Sequence, residues 1–479
     1  MPVSDFQPVI GLEVHAQLLT ASKIFCGCST TFGAPPNQHT CPVCLGLPGV
    51  LPVLNAKVVA LAVRAGLALD CQVRETSIWS RKNYFYPDLP KGYQITQFDQ
   101  PICEHGKLSI DAPSGEREIR IRRIHLEEDA GKSVHDPAGG SSLVDLNRAG
   151  VPLLEIVTEP DLRDADEAVE YLKALREVLR YLGVNDGNLE EGSFRCDANV
   201  SVRRTGATAL GTRAELKNIN SFRFVKQAID HEISRQVELI ESGGAVKQET
   251  RLYDPDRDET RPMRSKEEAH DYRYFPEPDL PPLHVSAERI QAARLELPEL
   301  PRPKLARFQS QYGLGAYDAR LLCGERALAD YFEACALRYR DYKKLANWSL
   351  GELLRLLKEV GGSIDAVRVT PTQLAELLTA IDAGGVSSNA AKEVLGEMVR
   401  TGKSPREIID QKGLGQVTDA SAVEAVVDAV LSENAGEAEK YRAGNKKVFG
   451  FLVGQAMKAM KGRGNPALVN ELLKKKLGD

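Results

Sequence analysis

The chain has 479 residues, of which 27% are charged and 42% hydrophobic, and its formal net charge is −5. This composition is typical of a globular protein with two or three domains, and it excludes a protein that coats nucleic acid indiscriminately. We find no apolar run of the length that spans a membrane and no signal-peptide pattern, and nine cysteines favour a reducing compartment, so we expect a cytoplasmic protein.

Short alternating strands and a few helices occupy residues 1–294. The predicted strands lie at 9–18, 118–127, 196–203 and 212–217, and the predicted helices at 56–69, 164–182 and 222–242. Because these elements do not alternate regularly, they predict an α+β fold with a mainly antiparallel sheet.

The remainder of the chain is helical in pattern. Prolines are dense between Pro276 and Pro303, which is typical of a linker or a domain edge. Residues 295–405 then predict an all-α helical domain, and residues 406–479 a small helical tail domain. The last helix is predicted to begin with Asn465 as its cap and Pro466 in its first turn.

Four cysteines form a CxC and a CxxC pair separated by twelve residues. They are Cys26, Cys28, Cys41 and Cys44. Four thiolates at this spacing suit tetrahedral Zn²⁺, and a site with four protein ligands would be structural. The alternative is a group of reduced, buried cysteines.

Acidic residues stand at alternate positions of several predicted strands. The strand at 9–18 places Glu13 and His15 on one face, and the strands at 196–203 and 212–217 do the same with Asp197 and Glu215. In a fourth strand, the alternation of apolar and polar residues shifts phase after Ile121, and the strand ends in Glu127 and Glu128. A β-bulge would produce such a shift.

This pattern has two interpretations. An antiparallel sheet with one solvated face also alternates, but aspartate and asparagine are poor strand formers. The second interpretation is a site for a hard cation, such as Mg²⁺, beside nucleotide phosphates. Because His15 is an uncommon Mg²⁺ ligand, Mn²⁺ or an indirect role for this histidine stays open.

The C-terminal region is basic. Between residues 440 and 476 ten lysines and arginines face one acid, Glu471. The ten are Lys440, Arg442, Lys446, Lys447, Lys458, Lys461, Arg463, Lys474, Lys475 and Lys476. Such a run either contacts nucleic-acid phosphates or is an ordinary solvated helical face.

Other nucleotide and nucleophile motifs are incomplete. Gly131-Lys132-Ser133 and Gly402-Lys403-Ser404 lack the earlier glycine of a P-loop, and Gly139-Gly140-Ser141-Ser142 lacks the small residues of a serine-amidase signature. The sequence therefore indicates neither a Walker A loop nor a glutaminase of its own.

Long motifs of this chain resemble the GatB component of the tRNA-dependent amidotransferase GatCAB. They are VIGLEVHAQL (9–18), RKNYFYPDLPKGYQI (81–95), RIHLEEDAGKS (123–133), DLNRAGVPLLEIVTEPD (145–161), ELKNINS (215–221), TRPMRSKEEAHDYRYFPEPDLP (260–281) and GNKKVFGFLVGQAMKAMKGRGNPALVNELL (444–473), together with the cysteine pairs. The resemblance extends over essentially the full length.

The resemblance implies a cradle-shaped catalytic domain, a helical domain and a tail that contacts tRNA. It implies that ATP phosphorylates the side chain of Glu on tRNA-Gln or Asp on tRNA-Asn, and that ammonia from the glutaminase component GatA then displaces the phosphate. The implied assembly is a heterotrimer of GatA, GatB and GatC without a membrane component.

The resemblance also implies site residues. The implied catalytic set is Glu13, His15, Glu127, Glu128, Asp197 and Glu215. Of these, Glu13, His15, Glu128 and Glu215 are expected to hold Mg²⁺ or Mn²⁺ across the phosphates of ATP. Lys82 and Lys91 are expected along the ammonia route. Two other classes remain: a non-enzymatic RNA-binding protein with a zinc-stabilised platform, and a metal-dependent phosphohydrolase of small substrates.

Overall fold

The computed structural model describes residues 5–113, 115–135, 140–265, 272–416, 419–460 and 464–478. Backbone contacts divide the chain into two compact units, residues 1–300 and 301–479. The first unit combines strands with helices, and the named elements of the second, within the described residues, are all helices. The predicted α+β class is therefore confirmed.

The strands all belong to the first unit. In chain order they are β1 (Phe6–Gln17), β2 (Gln72–Val73), β3 (Thr76–Ser77), β4 (Ser80–Asn83), β5 (Tyr93–Thr96), β6 (Cys103–Ala112), β7 (Gly115–Glu128), β8 (Lys132–His135), β9 (Ser142–Asp145), β10 (Pro152–Thr158), β11 (Phe194–Arg204), β12 (Ala214–Lys217), β13 (Glu249–Asp254), β14 (Glu259–Ser265), β15 (Phe275–Pro276) and β16 (Leu283–His284).

Nine of these strands form one sheet in the order β14-β13-β12-β11-β1-β10-β7-β6-β2. Every neighbouring pair in it is antiparallel except β12 and β13, which run parallel. The prediction of a mainly antiparallel sheet is confirmed, and the four predicted strands correspond to β1, β7, β11 and β12. Three smaller sheets, β15-β4-β5, β16-β3 and β8-β9, complete the strand pairing.

Helices cover one face of the large sheet. They are α1 (Ala56–Ala68), α2 (Ala165–Tyr181) and α3 (Phe222–Glu241), and α4 (Ala287–Leu295) contacts α1. Helix α2 contacts β6 and α3 contacts β11, and their apolar stripes join the side chains of Leu12 and Val14 of β1 in one hydrophobic core. The opposite face of β1 is thereby left to Glu13 and His15.

Strand β7 contains the predicted phase shift. Thr158 of β10 pairs with Ile121, but the preceding Val157 pairs with Arg123, so Arg122 is an extra residue in β7. Ile121 before the shift and Ile124 after it are both buried in the same core. The bulge therefore keeps apolar side chains inward although their spacing changes from two residues to three.

The proline-rich stretch contains more structure than a linker. It includes β15, β16 and α4, and α4 contacts α1. The boundary between the two compact units falls inside the stretch, between Leu300 and Pro301. The edge between the two compact units thus lies among the prolines, and most of the stretch belongs to the first unit.

The second unit is built from short helices around two hydrophobic cores. Its helices are α5 (Pro301–Tyr312), α6 (Ala316–Cys323), α7 (Arg326–Ala336), α8 (Tyr342–Asn347), a π-helical turn (Trp348–Leu353), α9 (Leu354–Glu359), a 3-10 turn (Ile364–Ala366), α10 (Pro371–Asp382), α11 (Ser388–Thr401), α12 (Pro405–Lys412), α13 (Ala420–Glu433), α14 (Ala435–Arg442), a 3-10 turn (Lys446–Val448), α15 (Phe449–Ala459) and α16 (Pro466–Leu477). The first core runs from Phe308 to Ile408 and the second from Val423 to Leu477.

The helix at the C-terminus begins as predicted. Asn465 caps α16 by accepting hydrogen bonds from the backbone N–H groups of Ala467 and Leu468, and Pro466 is its first residue. Among the described residues, we find no helix that combines the length and the apolar character needed to span a bilayer.

Candidate functional site

The acidic face of the large sheet lines a cavity of about 980 Å³. Strand pairing places its polar residues in rows, because Glu13 lies opposite Asp197, and Glu155 lies opposite both His15 and His125. Each of these side chains occupies the strand face that points away from the helices. A cavity of this size accommodates a nucleotide-sized ligand.

The first group of metal-type ligands, called here the histidine cluster, consists of His15, Glu127 and Glu155. One ligand atom of each lies within 4.8 Å of the others. Nε2 of His15 is 3.5 Å from Glu155 Oε2 and 4.0 Å from Glu127 Oε1. On the other side, Nε2 of His125 is 3.1 Å from Glu155 Oε2 and 3.6 Å from Glu127 Oε2. Two carboxylates thus lie close to two imidazoles.

The histidines and the carboxylates of this cluster stabilise each other's charged forms. Burial alone would lower the pKa of His15, but its hydrogen bond to Glu155 and the charges of Glu155 and Glu127 raise that pKa to about 9. Burial opposes ionisation of Glu155 as well, yet His125 and His15 hold its pKa well below the usual range. Without a metal the cluster is therefore protonated on histidine, and cation binding would displace that proton.

The second group, called here the acidic cluster, consists of Glu13, Asp197 and Glu215. Their ligand atoms also lie within 4.8 Å of one another. The amide nitrogen of Asn199 donates to Glu13 Oε1 over 2.9 Å, and the hydroxyl of Thr250 donates to Glu215 Oε2 over 2.9 Å. These hydrogen bonds fix the directions of two of the three carboxylates.

Lys217 brings a positive charge to the acidic cluster. Its Nζ donates a hydrogen bond to Asp197 Oδ2 and lies 3.4 Å from Glu215 Oε1. Burial would lower the pKa of Lys217, but the carboxylates of Asp197 and Glu215 outweigh it and raise that pKa. Lys217 is therefore an ammonium in direct contact with two of the three carboxylates.

Glu128 does not join either cluster, so the structure does not bring together the predicted cation set of Glu13, His15, Glu128 and Glu215. Its Oε1 accepts a hydrogen bond from the backbone N–H of Ile95 over 2.9 Å and forms an ion pair with Lys91. The physical reason is the two-residue period of β7, because Glu127 faces the large cavity and Glu128 therefore faces the other way.

The two predicted lysines lie in different cavities. Lys91 and Glu128 line a smaller cavity of about 120 Å³, next to Cys26 and Cys44. Lys82 lines the large cavity, with its Nζ 4.9 Å from the ring centre of Tyr272. Burial opposes the charge of Lys82, but nearby groups that include Glu127 and Glu155 raise its pKa. Lys82 is therefore a cation beside the histidine cluster.

Two site residues, Glu155 and His125, are missing from the sequence prediction. Glu155 belongs to Pro152–Thr158, an otherwise apolar strand in which a lone acid between Leu154 and Ile156 is unusual. His125 stands two residues before Glu127 and therefore shares its face. The signal that identifies both residues is the same alternation that identifies Glu13 and His15.

The four predicted zinc ligands come together. The sulfur atoms of Cys26, Cys28, Cys41 and Cys44 lie within 4.8 Å of one another. The Sγ of Cys44 accepts the backbone N–H of Cys41 over 3.2 Å, and the buried Nζ of Lys23 lies 3.6 Å from it. A hydrogen bond with Cys26, opposed by burial, lowers the pKa of Cys44 to about 4, and Lys23 adds to this effect.

The ligand types differ among the three groups. Four thiolates form a closed set that suits tetrahedral Zn²⁺. Three carboxylates suit a hard cation such as Mg²⁺, whereas the histidine cluster mixes oxygen with one nitrogen ligand and is also compatible with Mn²⁺. The residues present therefore fit the predicted cations, with Glu127 and Glu155 in the place expected for Glu128.

The basic run of the tail includes side chains that are engaged within the protein. Lys476 contacts Glu424 and Asp428, and Lys440 contacts Glu437. Two of the ten predicted phosphate contacts, Lys461 and Arg463, lie outside the described residues.

Comparisons with known proteins extend over the whole chain. Residues 8–291 match the GatB/GatE catalytic domain, and residues 330–477 match the GatB domain. The B subunits of the aspartyl/glutamyl-tRNA(Asn/Gln) amidotransferases of Myxococcus xanthus (strain DK1622) and Anaeromyxobacter sp. (strain K) are 76% and 63% identical, each over 100% of both chains. The protein of that name from Geotalea uraniireducens (strain Rf4) is 59% identical over 98% of this chain and 99% of its own. With both domain models matched and full-length relatives aligned, the chain belongs to the GatB/GatE family.

Proposed function

We propose that this chain is the activating component of a tRNA-dependent amidotransferase. It uses ATP to phosphorylate the side-chain carboxylate of mischarged Glu-tRNA(Gln), Asp-tRNA(Asn) or both, and ammonia then forms the amide. The observation that carries the proposal is the pair of metal-type clusters in one cavity of a chain that belongs to the GatB/GatE family. The name of the relatives, which specifies aspartyl- and glutamyl-tRNA, supports the substrate class.

The reaction has two balanced steps. In the first, an oxygen of the substrate carboxylate attacks the γ-phosphorus of ATP, the bond from that phosphorus to the β,γ-bridging oxygen breaks, and ADP leaves. In the second, the nitrogen of ammonia attacks the carbonyl carbon, the bond to the phosphate oxygen breaks, and phosphate leaves while the new amide loses a proton. Phosphorylation thus gives a poor electrophile a leaving group.

The residues of the cavity supply orientation and charge. The acidic cluster and the histidine cluster would each hold a divalent cation, which neutralises the charge that develops on phosphate oxygens. The hydrogen bonds from Asn199 and Thr250 keep Glu13 and Glu215 in fixed directions before the cation arrives. Because orientation and electrostatics dominate phosphoryl transfer, such preorganised carboxylates match its main requirement.

The proposed ammonia route passes from the smaller cavity to the larger one. Lys91 and Glu128 lie at the smaller cavity, and Lys82 and Glu127 at the larger one. Polar side chains along this route would accept hydrogen bonds from ammonia and separate it from bulk water, as an acyl phosphate requires. The absence of a glutaminase motif from the sequence supports a separate GatA component as the ammonia source.

The proposed function also includes metal ions and partner subunits. Zn²⁺ at Cys26, Cys28, Cys41 and Cys44 would be structural, and Mg²⁺ or Mn²⁺ would act with ATP. The designation of the relatives as one component of a larger enzyme supports a heterotrimer with GatA and GatC. The tail, residues 406–479, would contact tRNA. A cytoplasmic location fits these partners.

ADP release tests the proposal. The full chain with its GatA and GatC partners, Mg²⁺ and ammonium is assayed with Glu-tRNA(Gln), with Asp-tRNA(Asn) and with correctly charged Gln-tRNA(Gln). We expect stimulation by a mischarged tRNA alone, together with formation of the amidated aminoacyl-tRNA. If neither mischarged tRNA stimulated turnover, the proposal would fail and an RNA-binding role without catalysis would replace it.

A further inference from the structure

Lys217 competes with a cation for the acidic cluster. Its Nζ hydrogen-bonds Asp197 and lies 3.4 Å from Glu215, and these are two of the three carboxylates available to a metal ion. A divalent cation at the cluster would have to share Asp197 and Glu215 with an ammonium. Two positive charges a few ångströms apart repel each other strongly in a partly buried site.

The sequence position of Lys217 produces this arrangement. Lys217 follows Glu215 by two residues in β12, so both side chains face the cavity. Pairing of Ala198 with Leu216 brings β12 beside Asp197 of β11. Within the part of the chain that the structure describes, both carboxylates at ion-pair distance from Lys217 belong to the acidic cluster.

A bound nucleotide would change the balance of charge at the acidic cluster. Three carboxylates and one ammonium leave the cluster with two net negative charges, which a divalent cation cancels. The triphosphate of ATP adds several negative charges at the same place, so the ammonium gains a new partner when it leaves Asp197. Lysine is well suited to this exchange, because its four-carbon chain is flexible and its charge is compact.

We propose that Lys217 is a charge-exchange residue. Without nucleotide its ammonium balances Asp197 and Glu215, and with nucleotide it moves to a phosphate oxygen as a cation enters the acidic cluster. This inference rests on the proposed function for the identity of the nucleotide.

Manganese binding tests the proposal directly. Free Mn²⁺ is measured by electron paramagnetic resonance in titrations of the full chain, with and without a non-hydrolysable ATP analogue. The variants are Lys217→Met, which removes the charge, Lys217→Arg, which keeps it, and Lys107→Met as a control. Lys107 is matched because its Nζ also contacts two carboxylates, Glu118 and Asp70, but it does not line the cavity.

Without the analogue, we expect Lys217→Met to bind Mn²⁺ at the acidic cluster at least about tenfold more tightly than the wild type, because a repelling charge has gone. Lys217→Arg and Lys107→Met should titrate like the wild type. With the analogue, Lys217→Met should need about tenfold more of it for half-saturation, since a charged hydrogen bond to phosphate has been lost. Zinc content and melting temperature of each variant establish that it is folded, and Lys217→Gln replaces Lys217→Met if the latter is not.

Identical Mn²⁺ titrations of the charge-removing variant and the wild type would overturn the proposal. So would a gain in Mn²⁺ affinity that Lys217→Arg shares. Failure of the proposed function has a different signature: the analogue would leave Mn²⁺ binding of the wild type unchanged, while removal of the Lys217 charge would still tighten it.

Discussion

Glu127 and Glu128 are consecutive residues of β7, yet they belong to different cavities. Glu127 lies in the histidine cluster, and Glu128 pairs with Lys91. We predict that Glu127→Gln weakens Mn²⁺ binding by at least about tenfold, because a ligand to the cation is lost. Glu128→Gln should leave Mn²⁺ affinity unchanged, and calorimetric titration of the two full-length variants measures the difference.

Each of these two variants is the control for the other, because the substitution and the strand are the same. Equal losses of Mn²⁺ affinity would contradict the assignment of the two side chains to opposite faces. A loss in Glu128→Gln alone would restore the cation set predicted from the sequence.

The sequence predicts most of this site because the two-residue period of a strand is a strong constraint. Glu13, His15, Asp197 and Glu215 follow from it directly. The structure places Glu128 away from the other predicted cation ligands, because the face of each residue in β7 depends on where the bulge lies. Leu126 on the core face already implies that Glu128 shares that face. Which residues form one cluster and which form another depends on cross-strand register, as in the pairing of His15 with Glu155, and no local pattern specifies that register.

At the scale of elements, a buried lysine links the cysteine segment, residues 26–44, to the residue that follows β9. The buried Nζ of Lys23 donates to the backbone oxygen atoms of His39 and Leu146. We predict that the double variant Cys41→Ser/Cys44→Ser contains no zinc by elemental analysis and is cleaved faster by trypsin at nearby exposed sites. The reason is that metal binding and local folding are coupled.

Cys71→Ala is the matched control, because Cys71 is buried in the same unit but lies outside the cysteine cluster. It should keep its zinc and its resistance to trypsin. Zinc retained by the double variant at the wild-type level would show that these four cysteines are not the zinc ligands.

Helices α5 and α7 of the second unit are joined by an ion pair that depends on pH. Burial opposes the ionisation of Glu333, but contacts with Arg307 and Lys304, 2.7 and 3.1 Å away, lower its pKa. Because the folded-state pKa is depressed, this contribution is fully present above the unfolded value of about 4.3 and is lost as pH falls through the lower folded-state pKa. Glu333→Gln should therefore lower the free energy of unfolding at pH 7 by about 0.5 to 1 kcal/mol, and by less near pH 3.

Urea unfolding at the two pH values measures this difference. Glu359→Gln is a suitable control, since Glu359 forms its ion pair with Arg355 one turn away on the helix surface. A destabilisation by Glu333→Gln that is the same at both pH values would contradict an electrostatic origin.

The elements themselves are well predicted where a local signal exists. Caps and apolar stripes define α2, α3 and α16 to within a residue or two. The short strands β15 and β16 inside the proline-rich stretch are not predicted, because two-residue strands depend on pairing with distant segments such as Ser80–Arg81. Local propensity carries no information about such a partner.

At the scale of the whole molecule, the predicted start of the tail domain lies within a helix. The predicted boundary between residues 405 and 406 falls within α12, and Ile408 packs in the core that begins at Phe308. The next core begins at Val423. We therefore propose that the tail domain begins near Asp419, while a division into three domains stays a prediction.

The tail lysines allow a test of tRNA contact in the full chain. Within the described residues, Lys447, Lys474 and Lys475 have no ion-pair partner, unlike Lys440 and Lys476. We predict that Lys447→Gln/Lys474→Gln/Lys475→Gln weakens tRNA binding and reduces the slope of log affinity against log salt by about 0.7 to 0.9 per lost phosphate contact. Filter binding over a range of salt concentrations measures both quantities.

The double variant Lys440→Gln/Lys476→Gln is the comparison, because these lysines are already engaged by Glu437, Glu424 and Asp428. In this double variant, the slope of log affinity against log salt should change less for each lysine removed. If the triple variant bound tRNA as the wild type does, the basic run would be an ordinary solvated helical surface and not a tRNA contact.

The bulge at Arg122 has a further consequence for how this protein can evolve. Between Arg123 and Glu128 the side chains alternate between the large cavity and the opposite face of the sheet, so a one-residue insertion or deletion would exchange the residues on both faces at once. Substitution of a single residue alters one face only. Natural variation in this segment should therefore change the identity of residues but never their number, and alignments of relatives should contain no gap there.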